Sequence, residues 1–311
     1  MATIAIVMST YNGQTFLKEQ INSILGQSFS DFTLYIRDDG SSDDTVSIIE
    51  EMASSDSRII MVKDNGSASN KNVGFGASFS SAASFALKND ADFSYLAFCD
   101  QDDVWEADKL KAAMDKLSGV ASDTPALYAS NYYICDENLN INGIFSDTDP
   151  MVGVTFQNMF FEGVFPGFTL VINRHLAELS FLNDCSKDIY YHDKWVSLIA
   201  LGLGGNIIFD TTPLAKYRRH SSAASSTNLG VIAKIKWRID TVLNGDFCPR
   251  TKLMLKSFTQ LFSDSVDSQI KHFLQIFTSD KKYKKLFYSK HLRRSATGEI
   301  LLRIIILLGK L

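Results

Sequence analysis

Tyr95-Leu-Ala-Phe-Cys99, followed at once by Asp100-Gln-Asp-Asp103-Val-Trp105, is the stretch that decides the fold. An apolar and aromatic run stops abruptly in three carboxylates, the pattern of a buried strand whose carboxyl end opens on a polar crevice. Clustered acids repel one another unless a cation shares them, and all-oxygen ligation suits hard Mg²⁺ or Mn²⁺ that also holds a phosphate. The cluster therefore predicts a metal and diphosphate site at a strand end.

Similar short runs lie at Thr3–Met8, Phe32–Ile36, Arg58–Val62 and Ala126–Ala129. The segments between them have room for one helix each: Thr15–Gly26, Asp43–Met52 with Asp43 or Asp44 as its cap, and Gly74–Leu87. That alternation predicts an α/β fold, a Rossmann-like, mostly parallel sheet with flanking helices. Asp108-Lys109-Leu110 starts a helix behind the acidic cluster. Beyond Ala129 the pattern is less regular. Asn131–Ile144 reads as a hairpin around Glu137-Asn138, then Phe168–Ile172, Asn206–Phe209 and Leu214–Tyr217 as strands, with a helix over His192–Leu201. From Leu229 strand signals give way to helical periodicity. The organisation expected is a domain at 1–225, with a nucleotide half (1–130) and an acceptor half (131–225), and a basic helical extension at 226–311.

A chain of 311 residues, 45% hydrophobic, can bury a sizeable core. Its net charge of −4 hides an asymmetry: from Ala215 onward there are 19 Lys/Arg against 6 Asp/Glu, leaving 12 of the 31 basic and 29 of the 35 acidic residues before that point. A basic tail on an acidic domain suits an anionic partner. Zinc-finger spacing, an RNP-type aromatic motif and a basic zipper are all missing, so a membrane surface is favoured and no nucleic acid is expected. The run Ile300–Leu308 is shorter than the ~20 residues of a transmembrane helix and contains Arg303. It reads as an interfacial helix, as one packed on a partner, or as one covering the domain's own core. Met1 runs into Thr3–Met8 without a secretory leader, so a cytoplasmic protein is expected. Cys99, Cys135, Cys185 and Cys248 form no CxxC pair and read as buried free thiols.

Other polar clusters fall at strand ends. In Ser9-Thr10-Tyr11-Asn12-Gly13, Tyr11 is placed to meet a flat base, since ligands of parallel sheets bind outside the strands' carboxyl ends. In Arg37-Asp38-Asp39-Gly40-Ser41-Ser42, a carboxylate can accept from a pyrimidine N–H or hold a ribose hydroxyl. Lys71-Asn72-Val73-Gly74-Phe75-Gly76 fails as a dinucleotide fingerprint, because Phe79 stands where a glycine is needed. It reads as the start of a helix beside the nucleotide. In Tyr190-Tyr191-His192-Asp193-Lys194-Trp195, Asp193 is set among aromatic residues at a helix start. It can serve as a general base, enclosure raising its pKa, or merely cap the helix. In Tyr217-Arg218-Arg219-His220, a neutral His or an Arg can reach a diphosphate or its metal.

In this order, these clusters together with Gly167-Phe168-Thr169-Leu170-Val171-Ile172-Asn173-Arg174 resemble a family 2 glycosyltransferase of GT-A fold, over roughly residues 1–225. The Asp-Gln-Asp-Asp-Val-Trp and His-Asp versions are most similar to bacterial rhamnosyltransferase-type enzymes of O-antigen and capsule assembly. The resemblance implies inverting transfer of a sugar from a dTDP- or UDP-linked donor to a hydroxyl of a glycan, one that is lipid-linked. It implies that Thr10, Tyr11, Asn12, Asp39, Asn72 and Asp100 bind the nucleotide sugar. Asp102 and His220 would hold a divalent cation, Mg or Mn, and Asp193 would be the catalytic base. Gly167, Trp195 and the aromatic loop Met159–Gly167 would lie on the acceptor side. The Gln-x-x-Arg-Trp motif of processive members is missing, so one sugar per encounter is expected. Two alternatives stay open: sugar nucleotidyl transfer, which would want a glycine-rich loop after the first strand, and a non-catalytic, membrane-tethered assembly module.

Overall fold

The computed structural model describes residues 3–63, 72–186, 189–220 and 247–311. Lys71, the basic residues Lys234, Lys236 and Arg238, and the boundary expected at 225/226 lie outside the described residues.

The apolar runs become strands β1 (Thr3–Thr10), β2 (Phe32–Asp38), β3 (Ile59–Met61) and β4 (Phe93–Cys99), paired in parallel in the order β3-β2-β1-β4. β1 is buried along nearly its whole length, so it reads as a continuous apolar run and not as an alternation. The connecting helices are α1 (Leu17–Leu25), α2 (Thr45–Ser55) and α3 (Phe75–Asn89). Ile21 and Ile49 pack on one face of the sheet, whereas Ala82, Ala83 and Ala86 of α3 pack on the other. The chain thus builds outward from β1 to β3, then restarts on the opposite side of β1. That reversal opens a crevice between the carboxyl ends of β1 and β4.

The sheet continues as β4-β8-β6-β9-β5, with β7 paired to β6. These are β5 (Val104–Trp105), β6 (Ala126–Cys135), β7 (Ile141–Ile144), β8 (Leu170–Asn173) and β9 (Asn206–Arg218). β8 is antiparallel to both its neighbours and β9 is parallel to β6. Helices α4 (Lys109–Leu117), α5 (Phe156–Phe161), α6 (Arg174–Phe181) and α7 (His192–Gly202) cover this half.

Several elements differ from the sequence reading. β6 does not stop at Ala129 but runs into the hairpin. The two strands expected at Asn206–Phe209 and Leu214–Tyr217 are one strand, whose pairing with β6 shifts register between Asp210 and Pro213. A proline has no N–H to give the ladder, so an irregularity absorbs it. Phe168 lies in a 3₁₀ turn, Gly167–Thr169, ahead of β8. Helix α6 carried too short a period to be read, and Asn173 caps it by accepting from the Leu176 N–H. Met159, Phe160 and Phe161 are not an exposed acceptor loop: they are the buried end of α5, facing Phe258, Phe273 and Phe277.

Those partners come from helices α8 (Phe247–Phe262), α9 (Ser268–Thr278), α10 (Lys282–Leu286) and α11 (Ala296–Leu307). Their apolar faces join the core on the α3 side of the sheet. Among the described residues, no helix is long and apolar enough to cross a membrane. All four cysteines are buried free thiols.

Candidate active site

A cavity of about 800 Å³ opens where β1, β2 and β4 end, walled on the far side by the 166–168 turn, the start of α7 and the end of β9. Tyr11, Asn12, Asp39, Asn72, Asp100, Asp102, Gly167, Asp193 and His220 all line it. Residues as far apart in the chain as Tyr11 and His220 therefore share one space.

The floor is a hydrogen-bonded loop. Asn12, at φ 47°, turns the chain so that its N–H donates to Ser41 Oγ and its Oδ1 accepts from the Ser42 N–H. The Tyr11 N–H donates to Gln101 Oε1 at 2.8 Å, and Gln101 Nε2 donates back to the Tyr11 carbonyl. A Cβ on Gly13 would lie 2.4 Å from Gln101 Oε1, so glycine lets the β1 and β4 loops close on each other. The Tyr11 ring is left half exposed at the rim.

One nucleotide-binding expectation changes. Thr10 is fully buried and does not line the cavity; its hydroxyl donates to Asp38 Oδ1 at 3.0 Å. A side chain on the inward pleat of a central strand cannot also face the crevice. Asp39 lines the cavity, its Oδ1 accepting from Arg37 and from the Val73 N–H and its Oδ2 from the Gly74 N–H, which leaves acceptor capacity on Oδ2. Asp39 thereby ties β2 to the start of α3, where Gly74 sits at φ 84°. Removing either member of the buried Arg37–Asp39 pair would strand a charge in the interior.

At the end of β4, Asp102 Oδ2 lies 2.9 Å from His220 Nε2. Arg218 holds the two segments together, donating from Nε to the Asp102 carbonyl, from its N–H to Asp103 Oδ1, and pairing with Glu19. Burial, with the nearby charges of Asp102 and Asp193, pushes Asp100 up to about 7. Among the described residues no three His, Cys, Asp or Glu side chains form a preformed metal cage. A carboxylate beside an imidazole, next to an acid that resists ionisation, still suits a cation whose remaining ligands are diphosphate oxygens.

Across the cavity, Asp193 stands in the first turn of α7, where its Oδ1 accepts from the Lys194 N–H. Burial raises its pKa, and the Lys194 N–H and ammonium partly oppose that rise. Beside it, His192 is packed between Phe79 and Phe98, at centroid distances of 4.1 and 4.9 Å, with neither ring nitrogen hydrogen-bonded. Burial lowers its pKa to about 3, so it is neutral. Gly167 is the reason it fits: a Cβ there would lie 2.4 Å from His192 Nε2.

Trp195, expected on the acceptor side, does not line the cavity. It points to the opposite face of α7, fully buried, with Nε1–H donating to the Ser180 carbonyl and its rings against Phe258 and Phe262. Two residues along a helix turn a side chain through about 200°, so Asp193 and Trp195 cannot face the same space. The aromatic wall is instead Tyr132, Phe168 and Tyr217, with Phe168 and Tyr217 stacked at 5.5 Å. Tyr132 and Phe16, which sits 4.9 Å from the His220 ring, were missed. Their only sequence signal is an aromatic residue near an element's end, which core residues share.

Residues 5–141 match the family model described as Glycosyl transferase family 2. The dTDP-rhamnosyl transferase RfbG of Shigella flexneri is 32% identical over 247 residues, 76% of this chain and 79% of that protein. A UDP-Glc:alpha-D-GlcNAc-diphosphoundecaprenol beta-1,3-glucosyltransferase of Escherichia coli, WfaP, is 31% identical over 146 residues, 47% of this chain and 52% of that one. Among solved structures, S. aureus TarS 1–349 superposes with TM-score 0.58 at 14% identity, covering 99% of this chain and 80% of that one. The mannosyltransferase PcManGT from Pyrobaculum calidifontis superposes with TM-score 0.53 at 14% identity, covering 99% and 86%. The protein is a glycosyltransferase of GT-A fold, and the chain belongs to glycosyl transferase family 2.

Proposed function

We propose that this glycosyltransferase catalyses inverting, divalent-cation-dependent transfer of one sugar, rhamnose in the first instance, from a dTDP- or UDP-linked donor to a lipid-linked glycan of the cell surface. The observation that carries the reading is the position of Asp193. It is a half-buried carboxylate on the wall of the cavity that Asp100, Asp102 and His220 also line, with Asp100 near enough to feel its charge.

In this reading the base stacks at the rim on Tyr11, and Asn12 and Asn72 border the nucleotide. Asp102 and His220 would hold Mg²⁺ or Mn²⁺, which supplies charge stabilisation to the leaving diphosphate. Asp193 accepts the proton of the acceptor hydroxyl. That oxygen bonds to the anomeric carbon from the face opposite the diphosphate, whose bond breaks with its electron pair going to the diphosphate oxygen. A raised pKa makes Asp193 a stronger base than an exposed aspartate. Phe168, Tyr217 and Tyr132 offer apolar faces to the acceptor's sugar rings.

The relatives support the donor and acceptor classes: one is named for dTDP-rhamnose and one for a diphosphoundecaprenol-linked acceptor. PcManGT, which shares the fold, is described with GDP-Man and Mn²⁺. In this reading the protein works peripherally on the inner face of the cell membrane, and residues 226–311 are proposed as a basic helical extension of the 1–225 domain. A thermal-shift screen of dTDP- and UDP-sugars with and without Mn²⁺, followed by nucleotide-release assays on the stabilising donors, tests the proposal. No stabilisation by any nucleotide diphosphate sugar would overturn it.

A further inference from the structure

An interfacial helix, one packed on a partner and one covering the domain's own core are the alternatives for the run 300–308, and α11 has both a buried and an exposed apolar face. Leu302, Ile305 and Ile306 are buried in the core, while Ile300, Ile304, Leu307 and Leu308 are 61%, 46%, 50% and 57% exposed. The exposed four follow the spacing i, i+4, i+7, i+8, a single stripe along the helix. Tyr283 on α10 and Phe287 at its C-terminal cap, four residues apart, are 73% and 78% exposed. Arg303 fixes the two helices to each other, donating to the carbonyls of Lys285, Leu286, Tyr288 and Lys290. Both sets of apolar side chains are thus carried on one braced unit.

Charge names the partner. Of the nine Lys/Arg in residues 281–311, Lys285 is buried, Arg303 pairs with Glu299, and Arg293 and Arg294 pair with Glu162, which leaves Lys281, Lys284, Lys290 and Lys310 exposed; the acids among or next to them are Glu299 and Asp280. Glu299 is occupied within the fold, accepting from Arg303 and from the N–H groups of Leu292 and Arg293. Lys281 and Lys284 stand exposed beside Tyr283 and Phe287. We propose that the α10–α11 face docks on an anionic membrane, its apolar stripe entering the headgroup boundary and its lysines meeting acidic lipid. A second copy of the chain would bring two such cationic faces together, and like charges oppose that contact. The proposal deepens the reading of a lipid-linked acceptor by naming the surface that brings the enzyme to it.

Flotation of the full chain tests this, using vesicles of phosphatidylcholine alone and of equimolar phosphatidylcholine and phosphatidylglycerol, at low and high salt. Two variants accompany it: Phe287→Ser with Leu308→Ser, and Lys281→Glu with Lys284→Glu. Binding should require phosphatidylglycerol, weaken with salt, and fall roughly tenfold or more in each variant, because removing either the apolar or the charged contact weakens a two-part anchor. Nucleotide-sugar hydrolysis without vesicles should be unchanged in both. Failure of vesicle binding, or equal binding by parent and variants, overturns the membrane proposal. So does a parent dimer, seen by light scattering, that the serine variant dissociates, since it assigns the face to a second copy. Loss of hydrolysis with every donor in the parent would instead count against the transfer reading, independently of flotation.

Discussion

His220 Nε2 lies 2.9 Å from Asp102 Oδ2 across 118 residues of chain, held there by Arg218, which bonds the Asp102 carbonyl and stacks on Phe16 beside the His220 ring. If the pair holds a cation, Asp102→Ala should abolish transfer and remove the metal-dependent part of nucleotide binding. His220→Ala should raise the Mn²⁺ concentration needed for half activity by about 10- to 100-fold, as loss of one ligand-shell contact commonly does. Calorimetric titration of UDP or dTDP with and without Mn²⁺ reads both. Full activity of the parent in excess chelator would remove the cation from the mechanism.

Asp193→Asn should lower kcat by about 10²–10⁴-fold, the range for a positioned base, while donor affinity is retained. Because burial raises the parental carboxyl, the acid limb of its kcat/KM profile should lie above that of an exposed aspartate. An Asn variant turning over at the parental rate would reduce Asp193 to a structural residue of the helix start.

Gly167→Ala puts a methyl group where His192 Nε2 now lies, 2.4 Å from the added carbon. Something must move, and His192 is adjacent to Asp193. We expect a loss of about 1–3 kcal/mol of stability from overpacking, together with a lower kcat and an unchanged donor dissociation constant. Parental kcat with intact stability would show that the turn and α7 are not coupled.

His192 gives stability a pH dependence of known sign. An unfolded histidine titrates near about 6.5, and in the fold this one is lowered to about 3 by burial. The unfolded chain takes up the proton first, so the stability from keeping His192 neutral is complete above the unfolded value. It is lost as pH falls from there toward the folded one, by at most about 1.4 kcal/mol per pH unit. Denaturant midpoints at pH 7 and pH 5 should differ less in His192→Leu than in the parent. Equal differences would mean that the ring is solvated.

Phe258 touches Phe156, Phe160, Trp195 and Phe262 at full burial. Phe258→Ala should cost about 3–5 kcal/mol, the range for emptying an aromatic site in a core. A loss confined to the C-terminal helices, seen by hydrogen exchange with α7 still protected, would show that they unfold separately.

Much of this protein is written locally in its chain. Continuous apolar runs broken by helix-length segments specified β1 to β4 and the helices between them, because a strand buried on both faces has no polar positions to vary. The acids at Asp100 and Asp102 were legible for a related reason: like charges at a strand end are costly unless something shares them. Periodicity also placed Asp193 at a helix start. What the chain does not carry locally is which face each residue takes and what it meets. Thr10 and Trp195 sit one and two residues from Tyr11 and Asp193, yet the pleat and the helical turn direct them into the core. Asp39 was legible as an acid at a strand end, but its ties to Arg37 and to the start of α3 were not. The pairing of Asp102 with His220, the fit of Gly167 against His192, and the division of α11 into a buried and an exposed face are contacts between distant segments. Their free energy exists only once the sheet has closed and the helices have packed on it. The sequence by itself determined the strands β1 to β4, their order of appearance and the types of side chain at their ends; only the tertiary structure decided how the second half completes the sheet and which residues share the cavity.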